Sequence, residues 1–164
     1  MGSNENRPMS KEVVIDTAKL NRMMDKVKGL PDKLFREKTM SIIATKEKNR
    51  IFLRTVGGTG TDGNKFKPYN ANYALAAGKL SVNDVNLTSG GKGSMLSQMT
   101  VSATDSTARI FFNTDEKSDL ARKHEEGKGV PKRAFFGISD QDGDDIYDEY
   151  LDVTEKLLKK DGFE

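Results

Sequence analysis

Residue types that perform chemistry are sparse in this chain, and their spacing suits few reactions. His124 is the sole histidine, so no His–His metal pair exists, and acid–base work would need a carboxylate brought from elsewhere. Its neighbours Glu125 and Glu126 adjoin it but point elsewhere on a helix, and with Arg122 and Lys123 before it His124 reads as a surface or packing residue. The chain holds no cysteine, which removes disulfides, thiolate metal sites and Cys nucleophiles together. Serines and threonines are scattered without a G-x-S-x-G elbow, so nucleophilic hydrolysis has no support.

Two short motifs invite a ligand and fail on context. Gly58-Thr59-Gly60-Thr61-Asp62-Gly63 matches G-x-G-x-x-G, whose glycines let a backbone approach a pyrophosphate at a helix N-terminus. A helix rather than a strand is expected before it, Pro68 lies where the cofactor-binding helix should run, and no second βαβ unit follows. A flexible loop is the cheaper reading. Asp140-Gln141-Asp142-Gly143-Asp144-Asp145 offers spaced carboxylates to a hard cation, but Asp145 stands where a calcium loop needs Gly and Leu151 where it needs Glu. An acidic helix start explains the same residues. We therefore expect no catalytic set, cofactor or metal, and not an enzyme.

Charge gives no bulk argument for nucleic acid, since 27 Lys plus Arg against 25 Asp plus Glu leave a net charge of +2. The stretch from Lys46 to Arg54, with Lys128, Lys132 and Arg133, could touch phosphate, but no aromatic residues interleave with it as a single-strand platform requires. A nucleotide- or DNA-binding accessory protein, using the Gly58–Gly63 loop or these basic patches, is kept as the alternative reading.

The elements that must position these residues follow from pattern. The length of 164 residues suits one domain, and 35% hydrophobic against 32% charged residues points to a modest core. Residues 1–10 are polar and read as a disordered arm rather than a signal sequence, leaving 11–164 as a single domain. No apolar run approaches the ~20 residues of a membrane span. Val13 to Ile15 form a short strand feeding a helix with Leu20, Met23, Met24 and Val27, which Gly29 and Pro31 stop. A second helix runs from near Asp32 to about Val56, with Leu34, Phe35, Ile42, Ile43, Ile51 and Phe52 on or near one face. Met99 to Ala103 and Ala108 to Phe112 alternate around Thr104-Asp105-Ser106-Thr107, a β-hairpin. Thr114 caps a helix that Gly127 closes, Ala134 to Phe136 form a third strand, and a last helix follows Ser139-Asp140 with Ile146, Leu151, Val153, Leu157 and Leu158.

Between Gly57 and Gly93 the periodicity vanishes, and only residues 70–77 suggest a short helix. So long an irregular stretch inside a compact domain signals a functional or disordered loop. Its sparse apolar residues, among them Phe66, Tyr69, Leu80 and Leu87, look unable to build a core alone, so we expect ordering between neighbouring subunits.

Read in order, Asp62-Gly63-Asn64-Lys65-Phe66-Lys67-Pro68-Tyr69, Leu87-Thr88-Ser89-Gly90 with Met95-Leu96, Ala121 to Gly127, and Pro131-Lys132-Arg133-Ala134-Phe135-Phe136-Gly137 form a series. Together with the strand pair, it resembles the phage virion morphogenesis and tail-completion proteins, relatives of tail terminators. That family's pattern runs D-G-x-x-W/F-x-P-L/Y, T-G-x-L, a strand pair, A-x-x-H-x-x-G and P-x-R-x-F-L/F-G. The likeness covers about Arg50 to Asp140. Ser89 to Gly93 is expanded where the family has a compact T-G-x-L, and Glu125-Glu126-Gly127 follows His124.

The resemblance implies an α+β subunit in which two or three helices pack against a small antiparallel sheet built around the hairpin, with 57–93 as an extended loop. It implies a homo-oligomeric ring, expected to be a hexamer, that ends tail-tube growth and joins the tail to the head–tail connector in the virion neck. Such a structural protein is made in the host bacterial cytoplasm, partners the tail-tube and connector proteins, and touches packaged DNA only non-specifically. Phe66, Pro68, Tyr69, Tyr73, Leu87 and Arg133 are the candidate oligomer interface. Asp142, Asp144 and Asp145 are the candidate channel- or partner-facing charge.

Overall fold

The computed structural model describes residues 12–16, 33–89 and 93–160. Three antiparallel strands, β1 (Val13–Asp16), β2 (Met99–Ala103) and β3 (Thr107–Phe112), make one sheet in the order β1-β3-β2. Four α-helices accompany them among the described residues: α1 (Lys33–Val56), α2 (Ala71–Ala76), α3 (Asp115–Glu126) and α4 (Asp140–Lys160). The fold is therefore mixed α+β, with about 51% of the described residues helical and 12% in strands. The helix expected around Leu20 to Val27 lies outside the described residues. No described helix is long and apolar enough to cross a membrane.

The hairpin forms because apolar and polar residues alternate on both arms and Thr104 closes the turn, its amide and hydroxyl donating to the Thr107 carbonyl at 2.8 and 3.3 Å. Ile110 faces Val13 on one side and Val101 on the other. Ala108, Ile110 and Phe112 share the inner face and are buried, whereas Arg109 is exposed. Helix α1 lies across β2 and β3 and packs along α4. Its inward stripe is Met40, Ile43, Ala44, Glu47, Ile51 and Thr55, the three-to-four residue spacing of one helix face. Phe52, expected there, is exposed instead. On α4 the stripe is Ile146, Tyr150, Val153 and Leu157, while Leu151 faces out.

The third strand is β1, not Ala134 to Phe136. Those residues do reach the core, with Phe136 against Phe112 at 4.8 Å between ring centroids. Their backbone groups are claimed by other partners. The amides of Phe135 and Phe136 both donate to Glu125 Oε1 at 2.7 Å, and the Ala134 carbonyl accepts from the Thr61 amide at 2.8 Å. The carbonyls of Phe135 and Gly137 accept from Arg54 Nη2. No ladder partner can compete with a satisfied backbone.

The irregular segment after α1 also differs from expectation. Tyr69, Ala74 and Val85 form a buried cluster of their own, supported by Phe66 and Val82, and Leu87 joins the main core. These apolar residues need no neighbouring subunit to be covered. Within the segment the Tyr69 amide donates to the Val82 carbonyl at 2.8 Å, and the Thr61 amide ties it to the 131–137 strip through the Ala134 carbonyl, also at 2.8 Å. A Cβ on Gly60 would stand 2.8 Å from the Ala134 carbonyl oxygen, which leaves room for glycine alone.

Candidate functional site

A pocket of about 330 Å³ opens where the irregular segment, α3 and the Pro131–Arg133 strip meet. Each wall has a local cause. Asn70 caps α2, its side chain accepting from the Asn72 amide at 2.9 Å, and Tyr73 on that helix lines the pocket. Thr114 caps α3 by accepting from the Lys117 amide, and Gly127 ends the helix at φ +75, a left-handed position that suits glycine. The chain doubles back so tightly that a Cβ on Gly127 would meet Lys132 Cβ at 3.1 Å. That return is locked by the Arg133 amide donating to the His124 carbonyl at 2.7 Å. Leu87 completes the floor in a strained backbone at φ +50.

Arg133 dominates the electrostatics. It is 2% exposed, and its guanidinium lies over the Tyr69 ring at 4.8 Å from the centroid. Nη2 donates to the Lys67 carbonyl at 3.1 Å and Nη1 to the Pro131 carbonyl at 3.5 Å, while Nε is buried with no partner among the described residues. Among the described residues no carboxylate lies within ion-pair distance of it. Burial accordingly lowers its pKa below the ordinary arginine value. His124 borders the same pocket with Nδ1 buried and without a partner among the described residues. Burial first, then the Arg133 charge, pushes its pKa down to about 4, so the imidazole is neutral at pH 7. Burial likewise raises the pKa of Tyr69, whose hydroxyl accepts from the Leu87 amide at 3.4 Å.

The expected interface residues divide. Tyr69, Tyr73, Leu87 and Arg133 converge on the pocket, but Tyr69, Leu87 and Arg133 are buried within the subunit apart from what they show to the pocket. Phe66 is half-buried, and Pro68 and Tyr73 are exposed. Of the segment's sparse apolar residues, those that stay outward are Leu75, 83% exposed, and Leu80, 99% exposed, near Tyr73 in the sequence.

The expected surface charge divides too. Asp144 is exposed and Asp145 is half-exposed, accepting from Gln141 Nε2 at 3.0 Å. Asp142 is a correction, because it is 6% exposed and faces inward. It accepts from the Ser139 amide at 2.8 Å while Ser139 Oγ accepts from the Asp142 amide at 3.2 Å, a reciprocal capping box at the start of α4. Its second bond is a close ion pair with Arg54. Burial alone would raise its pKa, but the bonds from Ser139 and the Arg54 charge outweigh that and hold it below the usual carboxylate value. Arg50 extends the network to Glu149 and Glu47 at 3.0 and 2.9 Å, and Lys46 reaches Glu149 at 3.3 Å. Burial raises the pKa of Glu47 despite the Arg50 contact. Much of the basic stretch from Lys46 to Arg54 is thus spent between α1 and α4.

The glycine loop is similarly occupied by its own backbone. The amides of Gly57, Gly58 and Thr59 donate back to α1 carbonyls, those of Gly60 and Gly63 donate within the loop, and that of Thr61 donates to Ala134. The Asn64 amide is taken by Asp62 Oδ1 at 3.0 Å. Such amides form a turn rather than a cradle open to phosphate. Among the described residues no three His, Asp or Glu side chains gather where they could hold a metal ion. The chain matches no protein-family model, and comparison with curated proteins and with solved structures gave no match.

Proposed function

We propose that this chain is a structural virion subunit of the tail-completion or tail-terminator kind, forming a ring at the phage head–tail junction and performing no catalysis. The observation that carries the reading is the ordered series from Asp62-Gly63 to Phe136-Gly137, whose separate segments pack against one another around a single pocket. Tyr69, Leu87, His124 and Arg133 come from four different segments of that series and share its walls. Motifs scattered over some seventy residues gain weight as a set when they meet in space.

A second feature supports assembly. Leu75 and Leu80 stand almost free of their own subunit beside half-exposed Tyr73. Paired exposed apolar side chains on one segment suit burial against a partner. In a ring the same segment would meet a different surface of the next copy, and closure of that head-to-tail contact sets the subunit number. The tail-tube and connector proteins would then abut the two faces of the ring.

Native mass spectrometry of the purified chain, with labelling of the protein in intact virions, tests the reading. A ring of defined stoichiometry located at the neck is the expected result. A strictly monomeric protein absent from purified particles overturns it.

A further inference from the structure

We propose that the pocket between Tyr69, Leu87, Leu120, His124, Val130 and Arg133 is a binding site for a carboxylate carried on an apolar body, such as an aromatic acid. The inference rests on the pocket alone and stands or falls independently of the virion reading. Its volume of about 330 Å³ is of the size that accepts a small ligand. Its walls are mostly aromatic and aliphatic, which suits the body of the ligand rather than a bare ion.

The acidic end is specified by Arg133. A buried guanidinium is normally matched by a carboxylate, because removing a charge from water is costly without a counter-charge. Here the described residues supply two carbonyl oxygens and the face of Tyr69, and Nε has nothing. Folding has already stripped the guanidinium of water, so an entering anion loses only its own hydration. Neutral His124 adds a second polar group without a competing charge. Asn70 and the Tyr73 and Ser89 hydroxyls, which sit 3.2 Å from each other, provide further polar contacts at the pocket.

The probe is 3-phenylpropanoate, titrated by NMR and calorimetry into the full chain beside its neutral isostere 3-phenylpropanamide. The acid should bind at least about tenfold more tightly than the amide, a difference near 1.4 kcal/mol. Arg133→Lys should weaken the acid and leave the amide unchanged, since it keeps a charge but loses the planar fork. If Arg133→Lys fails to fold, Val130→Trp, which fills the pocket from a half-buried loop position, should abolish binding of both. Sedimentation with and without the probe separates two sources of the acid. Dissociation of a self-associated form by the probe assigns the natural carboxylate to a neighbouring copy, and probe binding without such dissociation assigns it to a free small acid. Equal binding of acid and amide, or no response of the Tyr69 and Leu120 signals at roughly 10 mM probe, overturns the proposal.

Discussion

Replacing Arg54 by Met should destabilise the fold far more than its place near the end of a helix suggests. Arg54 binds Asp142 at the start of α4 and the carbonyls of Phe135 and Gly137, so one side chain joins three parts of the molecule. Breaking a buried ion pair by removing one partner costs about 3–5 kcal/mol, because the other charge is left in low dielectric. Two features reduce that here. Arg50 Nε remains 3.8 Å from Asp142, and the Ser139 bonds survive. The orphaned carbonyls add back about 1 kcal/mol each. We expect a net loss of about 3 kcal/mol for Arg54→Met. Asp142→Asn should cost less, about 2 kcal/mol, since the amide oxygen can still accept from Ser139. Both act on one contact, so the double variant should fall short of their sum by at least about 1 kcal/mol.

Urea denaturation at neutral and acid pH measures all of these. The folded pKa of Asp142 is depressed, so its contribution is complete above the unfolded carboxylate value and disappears as pH falls through the folded one. The deficit of Arg54→Met relative to the native chain should therefore shrink on acidification below about pH 4. A loss under about 1 kcal/mol with strictly additive variants would show that the clamp is solvated and the reasoning wrong.

Other perturbations read the remaining links. Phe112→Ala should cost about 3–5 kcal/mol in denaturation, because the ring is buried against Phe136, and a cost below about 1 kcal/mol would misplace the inner face. Gly60→Ala should cost about 1–3 kcal/mol and expose the Thr61 amide in hydrogen exchange, as its Cβ collides with the Ala134 carbonyl. The depressed pKa of His124 makes stability full above its unfolded value and lost as pH falls from about 6.5 toward about 4, by about 1–2 kcal/mol after solvent screening. The His124→Gln variant should lack that component, and identical pH profiles would refute it. Leu75→Ser with Leu80→Ser should leave stability within about 0.5 kcal/mol yet weaken self-association at least about tenfold in sedimentation.

Local signals carried much of this fold. The hairpin alternation, the Thr114 cap, the Gly127 stop and the Asn70–Ala77 turn of helix were legible because each rests on residues adjacent in sequence. Errors arose where a distant side chain won. Phe135 and Phe136 have strand chemistry, but Glu125 takes their amides from ten and eleven residues away. Asp142 reads as surface charge until Arg54 is seen beside it, although the Ser139-x-x-Asp142 capping pattern was present to be noticed. In the irregular segment, Tyr69 and Val85 meet only because Tyr69 pairs with Val82 through the backbone, a contact with no periodicity to announce it. The pocket was half legible: Tyr69, Tyr73, Leu87 and Arg133 were all expected at the interface, yet nothing in the sequence announced that Arg133 would be buried with no carboxylate beside it among the described residues.

Assembly is the central claim, and electron microscopy of purified virions carrying an antibody or tag on this chain tests it most directly. The account predicts density for a closed ring of identical subunits at the junction of head and tail, with the Leu75–Leu80 segment covered by the neighbouring copy. Particles in which the label is absent, or a purified chain that stays monomeric at every concentration, would contradict it.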